Sequence, residues 1–120
     1  MAERTSLIVR CPREDAARAR NEASSERRSL SGYLLHILER WMLVEDQFMP
    51  KTDQAFFEAQ ARSVLGRRHK EARTAVHLRC TVDEAARIRH GAARRRLSIS
   101  DFVVFSLRCL WRAHDRIQGH

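Results

Sequence analysis

This 120-residue chain contains little glycine or proline, only short apolar runs and no pattern typical of a secretory signal. No apolar stretch approaches the roughly 18–20 residues that a membrane-spanning helix needs, so we expect no membrane association. The first apolar stretch ends after three residues (LIV), which excludes a secretory signal and favours a cytoplasmic location. With only two prolines and four glycines beside 43% hydrophobic residues, the composition excludes a disordered or low-complexity chain.

Paired metal-binding residues are also missing from the sequence. The three cysteines (Cys11, Cys80 and Cys109) form no C-x-x-C pair, and the six histidines form no H-x-x-x-H pair. These spacings exclude a zinc site and a disulfide framework, so we expect reduced thiols, no metal and no cofactor. Paired carboxylates, a nucleophile–base set and a phosphate-binding loop are lacking too, and we therefore do not expect an enzyme.

Positive charge is abundant, and it is almost all arginine. The net charge is +8, and 21 of the 23 basic residues are arginine. Residues 4–44 carry a net charge of +3 and residues 73–113 carry +6, whereas residues 45–72 are neutral. The planar guanidinium suits phosphate groups and guanine edges, but charge alone fits a nucleic-acid partner and a solvated basic surface equally well.

The two basic segments are copies of one another. Residues 4–42 align with residues 73–111 without a gap, and thirteen positions are identical. The identical residues are Arg4, Thr5, Arg10, Cys11, Ala16, Ala17, Arg18, Arg20, Ala23, Arg27, Ser29, Ser31 and Leu38, each repeated 69 positions later. Several further positions are similar in kind. The chain therefore contains an internal duplication.

Each copy predicts a strand followed by two helices. The strands are SLIVRC and AVHLRC, which are rich in β-branched residues and alternate in polarity. Pro12 in copy one, and the capping-box pattern T-V-D-E from Thr81 in copy two, predict the starts of the first helices, which run to about Arg27 and Arg95. Ser29 and Ser98 are suitable N-cap residues for the second helices.

The second helices each have an apolar face. In copy one that face consists of Leu30, Tyr33, Leu34, Ile37, Leu38 and Trp41, and in copy two of Ile99, Phe102, Val103, Leu107 and Leu110. A single strand–helix–helix unit leaves its strand without a partner. We therefore predict that the two strands pair antiparallel and that residues 4–44 and 73–114 share one core, like a dimer joined end to end.

The segment 45–72 between the copies predicts a further helix. A start signal at Lys51–Asp53 precedes Gly66, and apolar residues recur between them at helical spacing: Phe56, Phe57, Ala61, Val64 and Leu65. Phe105 and Trp111 lie off the main apolar face of the last helix. They are expected either to cover this connector helix or to form a homo-oligomer contact.

A strand, then R-C-P-R-E, then a helix, then R-S-L-S-G-Y opening a second helix resembles the ribbon-helix-helix (Arc/MetJ/CopG-like) family of bacterial and phage DNA-binding proteins. The resemblance covers residues 4–44 and 73–113. It implies a mainly α fold with a two-stranded antiparallel β-ribbon, arranged as a tandem pseudo-dimer in the order β-α-α, connector helix, β-α-α. Family members often carry glycine or asparagine between the two helices, whereas this chain has E26-R27-R28 and R95-R96-L97. Either the turn differs here, or a residue other than glycine adopts the left-handed conformation.

The resemblance also implies which residues contact double-stranded DNA, through insertion of the ribbon into the major groove. Alternation turns the apolar set Leu7, Val9, Cys11, Val76, Leu78 and Cys80 inward. The base-contacting set is then Ser6, Ile8, Arg10, Ala75, His77 and Arg79. Expected phosphate contacts come from Arg4, Arg73, Arg27, Arg28, Ser29, Leu30, Arg95, Arg96, Ser98 and Ile99.

The function expected from this resemblance is sequence-specific DNA binding, most simply by a transcriptional repressor that associates with the nucleoid. One alternative is an accessory protein for plasmid or phage DNA processing. Another alternative, from a different class, is an antitoxin-like module whose partner is a protein, with Ile8, Phe105 and Trp111 as its contacts.

Overall fold

A computed structural model describes residues 3–48, 54–66 and 72–118, and these residues form two strands and five helices. The first repeat contains β1 (Arg4–Pro12), α1 (Arg13–Ser25) and α2 (Leu30–Phe48). A connector helix, α3 (Gln54–Leu65), follows. The second repeat contains β2 (Arg73–Thr81), α4 (Val82–Arg94) and α5 (Ile99–Ile117). This order confirms the predicted mainly helical β-α-α, helix, β-α-α fold. The start signal Lys51–Asp53 lies outside the described residues, as do the side chains of Phe56 and Phe57.

The two strands form an antiparallel ribbon whose register follows the duplication. Ile8 lies opposite His77, and these two residues occupy the same position in the two repeats. The ribbon therefore has an approximate two-fold axis at this pair. Alternation buries one face, as the sequence predicted, and every inward side chain is at most 4% exposed: Leu7, Val9, Cys11, Val76, Leu78 and Cys80.

Each repeat packs its second helix against the strand of the other repeat. Helix α5 contacts β1, helix α2 contacts β2, and the two helices also contact each other. One continuous core results, and both repeats contribute to it. Removing either repeat would leave the other with an unpaired strand and an uncovered apolar helix face.

The last helix lies at the centre of this core, because the connector helix covers it. All six residues from Phe102 to Leu107 are at most 2% exposed, and α3 packs against α5.

Of the two alternatives predicted for Phe105 and Trp111, a contact with a second molecule is contradicted by the burial of both side chains. Phe105 is 0% exposed and packs edge-on against Trp41 at 5.5 Å. The Trp111 indole donates a 2.8 Å hydrogen bond to the Tyr33 hydroxyl.

Arg108 attaches the connector helix to the repeats. Its guanidinium forms an ion pair with Asp15 of α1, with the closest atoms 2.7 Å apart. The same guanidinium donates to the carbonyl oxygens of Val64 and Leu65 at 3.3 and 3.2 Å. These carbonyls belong to the last turn of α3, where helical partners are lacking. Gly66, with φ 64°, ends that helix in the left-handed conformation that glycine adopts without strain. One side chain thus joins α1, α3 and α5.

Local signals set the helix starts. Thr81 forms the predicted capping box: its hydroxyl accepts from the Glu84 N–H at 3.1 Å, and the Glu84 carboxylate accepts from the Thr81 N–H at 2.8 Å. Pro12 precedes α1. The first helices end at Ser25 and Arg94, slightly before the predicted ends, since the next residues form the turns into α2 and α5.

The cysteines are free thiols, and two of them face the core. Cys11 lies opposite Thr74 in the ribbon, six residues from Cys80, so about 20 Å of strand separates the two thiols. No disulfide forms across that distance. Burial raises the pKa of Cys11 to about 11 and that of Cys109 to about 12.

Candidate functional site

The outward face of the ribbon is the most distinctive exposed surface of the fold. All six residues predicted to point outward are exposed: Ser6, Ile8, Arg10, Ala75, His77 and Arg79. Neither strand carries an acidic residue. The surface is therefore a narrow ridge with cationic side chains and no opposing carboxylate of its own.

Two arginines flank the centre of this ridge. Ile8, 54% exposed, and His77 lie opposite each other at the middle. Arg10 lies two residues from Ile8, and Arg79 lies two residues from His77 in the opposite direction. The antiparallel register thus separates the two arginines by about 13 Å along the ribbon. Each arginine faces a small residue on the other strand, which leaves its long side chain room to extend outward.

Two serines fix the ribbon on the helices, and sequence reasoning assigned them no role. The Ser100 hydroxyl of α5 accepts from the Arg10 N–H at 2.8 Å. The Ser31 hydroxyl of α2 accepts from the Arg79 N–H at 2.9 Å. Each bond joins one repeat to the strand of the other repeat and holds the backbone of an outward arginine. Their identity in the two copies was a signal that could have identified them.

The starts of the two second helices lie at opposite ends of the ribbon. Ser29 caps α2 by accepting from the Gly32 N–H at 3.0 Å, and Ser98 caps α5 by accepting from the Asp101 N–H at 3.1 Å. Both predicted N-caps are confirmed. The N–H groups of Leu30 and Ile99, at the first helical positions, have no carbonyl partner within their own helices and carry the positive end of the dipole.

The turns before these helices contain left-handed arginines in place of glycine. Arg27 has φ 57° and Arg96 has φ 55°, and both side chains are exposed. The Arg27 N–H donates to the Ser24 carbonyl and the Arg28 N–H to the Ala23 carbonyl, a pairing typical of a Schellman helix end. Of the two alternatives for this turn, the structure shows the second: an arginine accepts the left-handed conformation. Arg28 is also exposed and pairs with Glu26 at 3.2 Å.

Arg95 is buried and corrects one predicted phosphate contact. Its side chain is 2% exposed, donates to the Gly91 carbonyl and lies 4.8 Å from the centre of the Phe102 ring. Burial lowers the pKa of this guanidinium to about 10. A side chain enclosed between helices α4 and α5 does not reach a phosphate outside the protein.

Arg73 is the second correction, because its guanidinium points into the protein. It donates to the Asp101 carboxylate at 3.2 Å and to the Arg10 carbonyl at 2.9 Å. The Asp101 side chain is 3% exposed and that of Arg73 is 22% exposed. Arg4, at the equivalent position of the first repeat, is exposed. The equivalent arginines at the two ends of the ribbon therefore differ, because Arg4 is exposed and Arg73 is paired with a buried carboxylate.

Within residues 3–48, 54–66 and 72–118, no group of three or more histidine, cysteine or acidic side chains is placed to hold a metal ion. No helix in the same residues has the length and apolar character needed to cross a membrane. The candidate site is therefore described by its geometry: a cationic ridge with a capped helix N-terminus near each end.

Comparison of the chain with protein-family models, with curated proteins and with solved structures found no match.

Proposed function

We propose that this chain is a tandem ribbon-helix-helix protein that binds double-stranded DNA sequence-specifically, most simply as a transcriptional repressor. The observation that carries the proposal is the exposed outward face of the ribbon, with Arg10 and Arg79 on either side of its centre. The major groove of B-DNA is about 12 Å wide and admits a two-stranded ribbon. Hydrogen bonds from the backbone of both arginines to the two helices support the proposal, because they hold these positions of the ribbon in place.

The chemistry of the ridge suits base edges. A guanidinium contacts guanine O6 and N7 with two hydrogen bonds, and each such pair provides about 1–3 kcal/mol of discrimination. His77 donates or accepts at a base edge, and Ile8 is suited to a thymine methyl group. The two strands carry different outward residues, Ser-Ile-Arg and Ala-His-Arg, so the preferred site is not expected to be palindromic.

Selection from a pool of random duplexes tests the proposal directly. We expect enrichment of one sequence, with binding that weakens steeply as salt rises, because phosphate contacts release counterions. Recovery of no enriched duplex would overturn the proposal.

Variants of the two ridge arginines then test the base contacts. Arg10→Ala and Arg79→Ala are each expected to reduce the preference for the selected site by about fivefold or more, as the loss of about 1–3 kcal/mol of discrimination predicts. Arg116→Ala is a matched control, since it removes the same exposed charge near the far end of α5, about 24 Å along the helix from Ser100. An unchanged preference in both ridge variants would refute the assignment of base contacts.

A protein partner is the second candidate, favoured by the exposure of Ile8 at the centre of the ridge. An apolar side chain at this position suits a protein contact as well as a thymine methyl. This candidate is supported if no duplex is enriched and if Ile8→Asp abolishes capture of a cellular protein by the purified chain. A DNA-processing accessory protein would bind DNA by the same ridge, and the selection experiment covers that role.

A further inference from the structure

The two ends of the ribbon differ in the charges that they offer to a DNA backbone. Arg4 lies opposite Thr81 at one end, and Arg73 lies opposite Pro12 at the other. We call these the Arg4 end and the Arg73 end. Helix α2 begins at the Arg4 end and helix α5 at the Arg73 end, as the serine bonds to the strands show.

At the Arg73 end, a buried carboxylate holds the terminal arginine inward. Asp101, in the first turn of α5, accepts from Arg73 at 3.2 Å. The equivalent position in α2 is Gly32, which has no carboxylate. Among the residues that the structure describes, the exposed Arg4 side chain forms no hydrogen bond or ion pair. Arg4 is therefore available to a phosphate, whereas Arg73 is already occupied.

The arginines of the turns increase this difference. Arg27 and Arg28 are both exposed at the Arg4 end, and Arg28 pairs with Glu26 at 3.2 Å. At the Arg73 end, Arg95 is buried, and Leu97 occupies the position equivalent to Arg28. Among the described residues at this end, Arg96 is exposed and pairs with a glutamate of α3 at 3.4 Å, and Arg13, which follows Pro12, is exposed too.

The N-termini of α2 and α5 also differ in how well they suit a phosphate, and this difference again favours the Arg4 end. A helix N-terminus favours an anion because its dipole places positive charge there. At α5 the Asp101 carboxylate already provides that anion, and its charge would oppose a phosphate nearby. The first turn of α2 contains no acidic residue. Within the described residues, the availability of the Arg4 side chain and the helix N-terminus without a carboxylate both favour phosphate binding at the Arg4 end.

We propose that the protein contacts the DNA backbone mainly through the Arg4 end, and that Asp101 is the positioning residue that withholds Arg73 from the DNA. Binding is then directional: the base-contacting ridge lies over the centre of the site, while the strong phosphate contacts lie on one side of it. This inference rests on the proposed DNA-binding function.

Salt dependence of binding tests the inference with a matched pair of variants. Binding of wild type, Arg4→Gln and Arg73→Gln to the selected duplex is measured by fluorescence anisotropy over a range of salt concentrations. Loss of one phosphate contact reduces the slope of log K against log salt by about 0.9. We expect that reduction for Arg4→Gln and an unchanged slope for Arg73→Gln. An equal reduction in both variants would overturn the inference.

The wild-type protein provides a second test that does not depend on the folding of a variant. Ethylation of single phosphates in the selected duplex is expected to interfere with binding on one side of the centre of the site only. Interference distributed equally on both sides would overturn the inference. If wild type binds no duplex at all, the proposed function itself fails, and that outcome is distinct from tight binding with symmetrical interference.

Asp101→Gly tests the role of the carboxylate, because it copies the glycine of the first repeat. Freed from its partner, Arg73 is expected to reach a phosphate and to increase the salt slope by about 0.9. Melting curves verify that the variant folds. If it does not fold, Asp101→Asn, which keeps the shape and removes the charge, is expected to increase affinity. A folded variant of either kind with wild-type slope and affinity would show that Asp101 does not withhold Arg73.

Discussion

Replacing Arg27 with glycine is expected to stabilise the protein and to weaken the proposed binding to DNA. Arg27 has φ 57° at the end of α1, where a residue with a Cβ atom is strained by about 1–2 kcal/mol. Glycine removes this strain, but it gains more freedom in the unfolded chain, which costs roughly 0.5–1 kcal/mol. The net expectation is a gain of about 0.5–1 kcal/mol, or a rise in melting temperature of about 2–5 °C for a domain of this size.

The same substitution removes an exposed cation from the Arg4 end of the ribbon. We therefore expect the slope of log K against log salt to fall by about 0.9. Strained residues persist where their side chains have a function, and opposite changes in stability and affinity would show that this arginine is such a residue. Urea denaturation measures the free energy of unfolding, and anisotropy titration measures DNA binding.

Arg27→Ala is the matched control for this experiment. Alanine removes the charge but keeps a Cβ atom in the left-handed conformation, so DNA binding should weaken as much as in the glycine variant without a gain in stability. Equal free energies of unfolding for the alanine and glycine variants would refute the argument from backbone strain. Arg96→Gly, at φ 55° in the second repeat, should reproduce the gain in stability.

Three further predictions concern the core. Gly91→Ala is expected to destabilise the protein by about 1–3 kcal/mol despite the better helix propensity of alanine. The new Cβ atom would lie 3.0 Å from two ring carbons of the fully buried Phe102. A midpoint of urea unfolding at or above that of wild type would contradict this expectation. Arg108→Ala leaves the Asp15 carboxylate, 12% exposed, without its cation, and is expected to lower the free energy of unfolding by about 3 kcal/mol in the same assay. A loss below about 1 kcal/mol would show that the pair is as weak as a surface ion pair. Burial raises the pKa of Cys11 from 9.0 to about 11, so between these pH values the thiol stays protonated in the folded state and ionises in the unfolded state. The free energy of unfolding should therefore fall between pH 9 and pH 11 more steeply in wild type than in Cys11→Ala.

The ribbon and its orientation were predictable from the sequence because the signals that specify them are local or repeated. Alternating polarity assigns an inward and an outward face to each strand without reference to the rest of the fold. The duplication adds the condition that the ribbon has a two-fold axis at a pair of equivalent residues, although it does not select the pair. Ile8 and His77 meet this condition. The helix starts were predictable for a similar reason, because capping bonds join residues only three positions apart.

The arginines of the site were only partly predictable, because their exposure depends on distant residues. Arg95 and Arg96 are neighbours in sequence, yet one is 2% exposed and the other is exposed. The difference arises where α4 ends and the Arg95 side chain passes over the Phe102 ring, which belongs to the next helix. Arg73 is held by a carboxylate 28 positions later in the chain. No local pattern around these arginines indicates such partners.

The burial of Phe105 shows the same dependence on tertiary packing. Helical periodicity assigns one apolar face to α5, and Phe105 lies away from it. The helix is nonetheless buried on further sides, because α3 packs on it. A covering element from outside the repeat cannot be inferred from the periodicity of the covered helix alone.

Because the two repeats are fused in one chain, residues at equivalent positions of the repeats can differ, which is impossible in a dimer of identical subunits. In such a dimer, a carboxylate that withholds one terminal arginine would be present at both ends and would withhold both. Here the carboxylate is present at Asp101 and replaced by glycine at position 32, while the inward ribbon positions of both repeats stay apolar. The shared core constrains the two strands to the same inward pattern, because each second helix packs on the other strand. The ends of the ribbon lie outside this constraint, so the two copies are free to differ there in charge. A directional contact with DNA is the property that such divergence makes attainable.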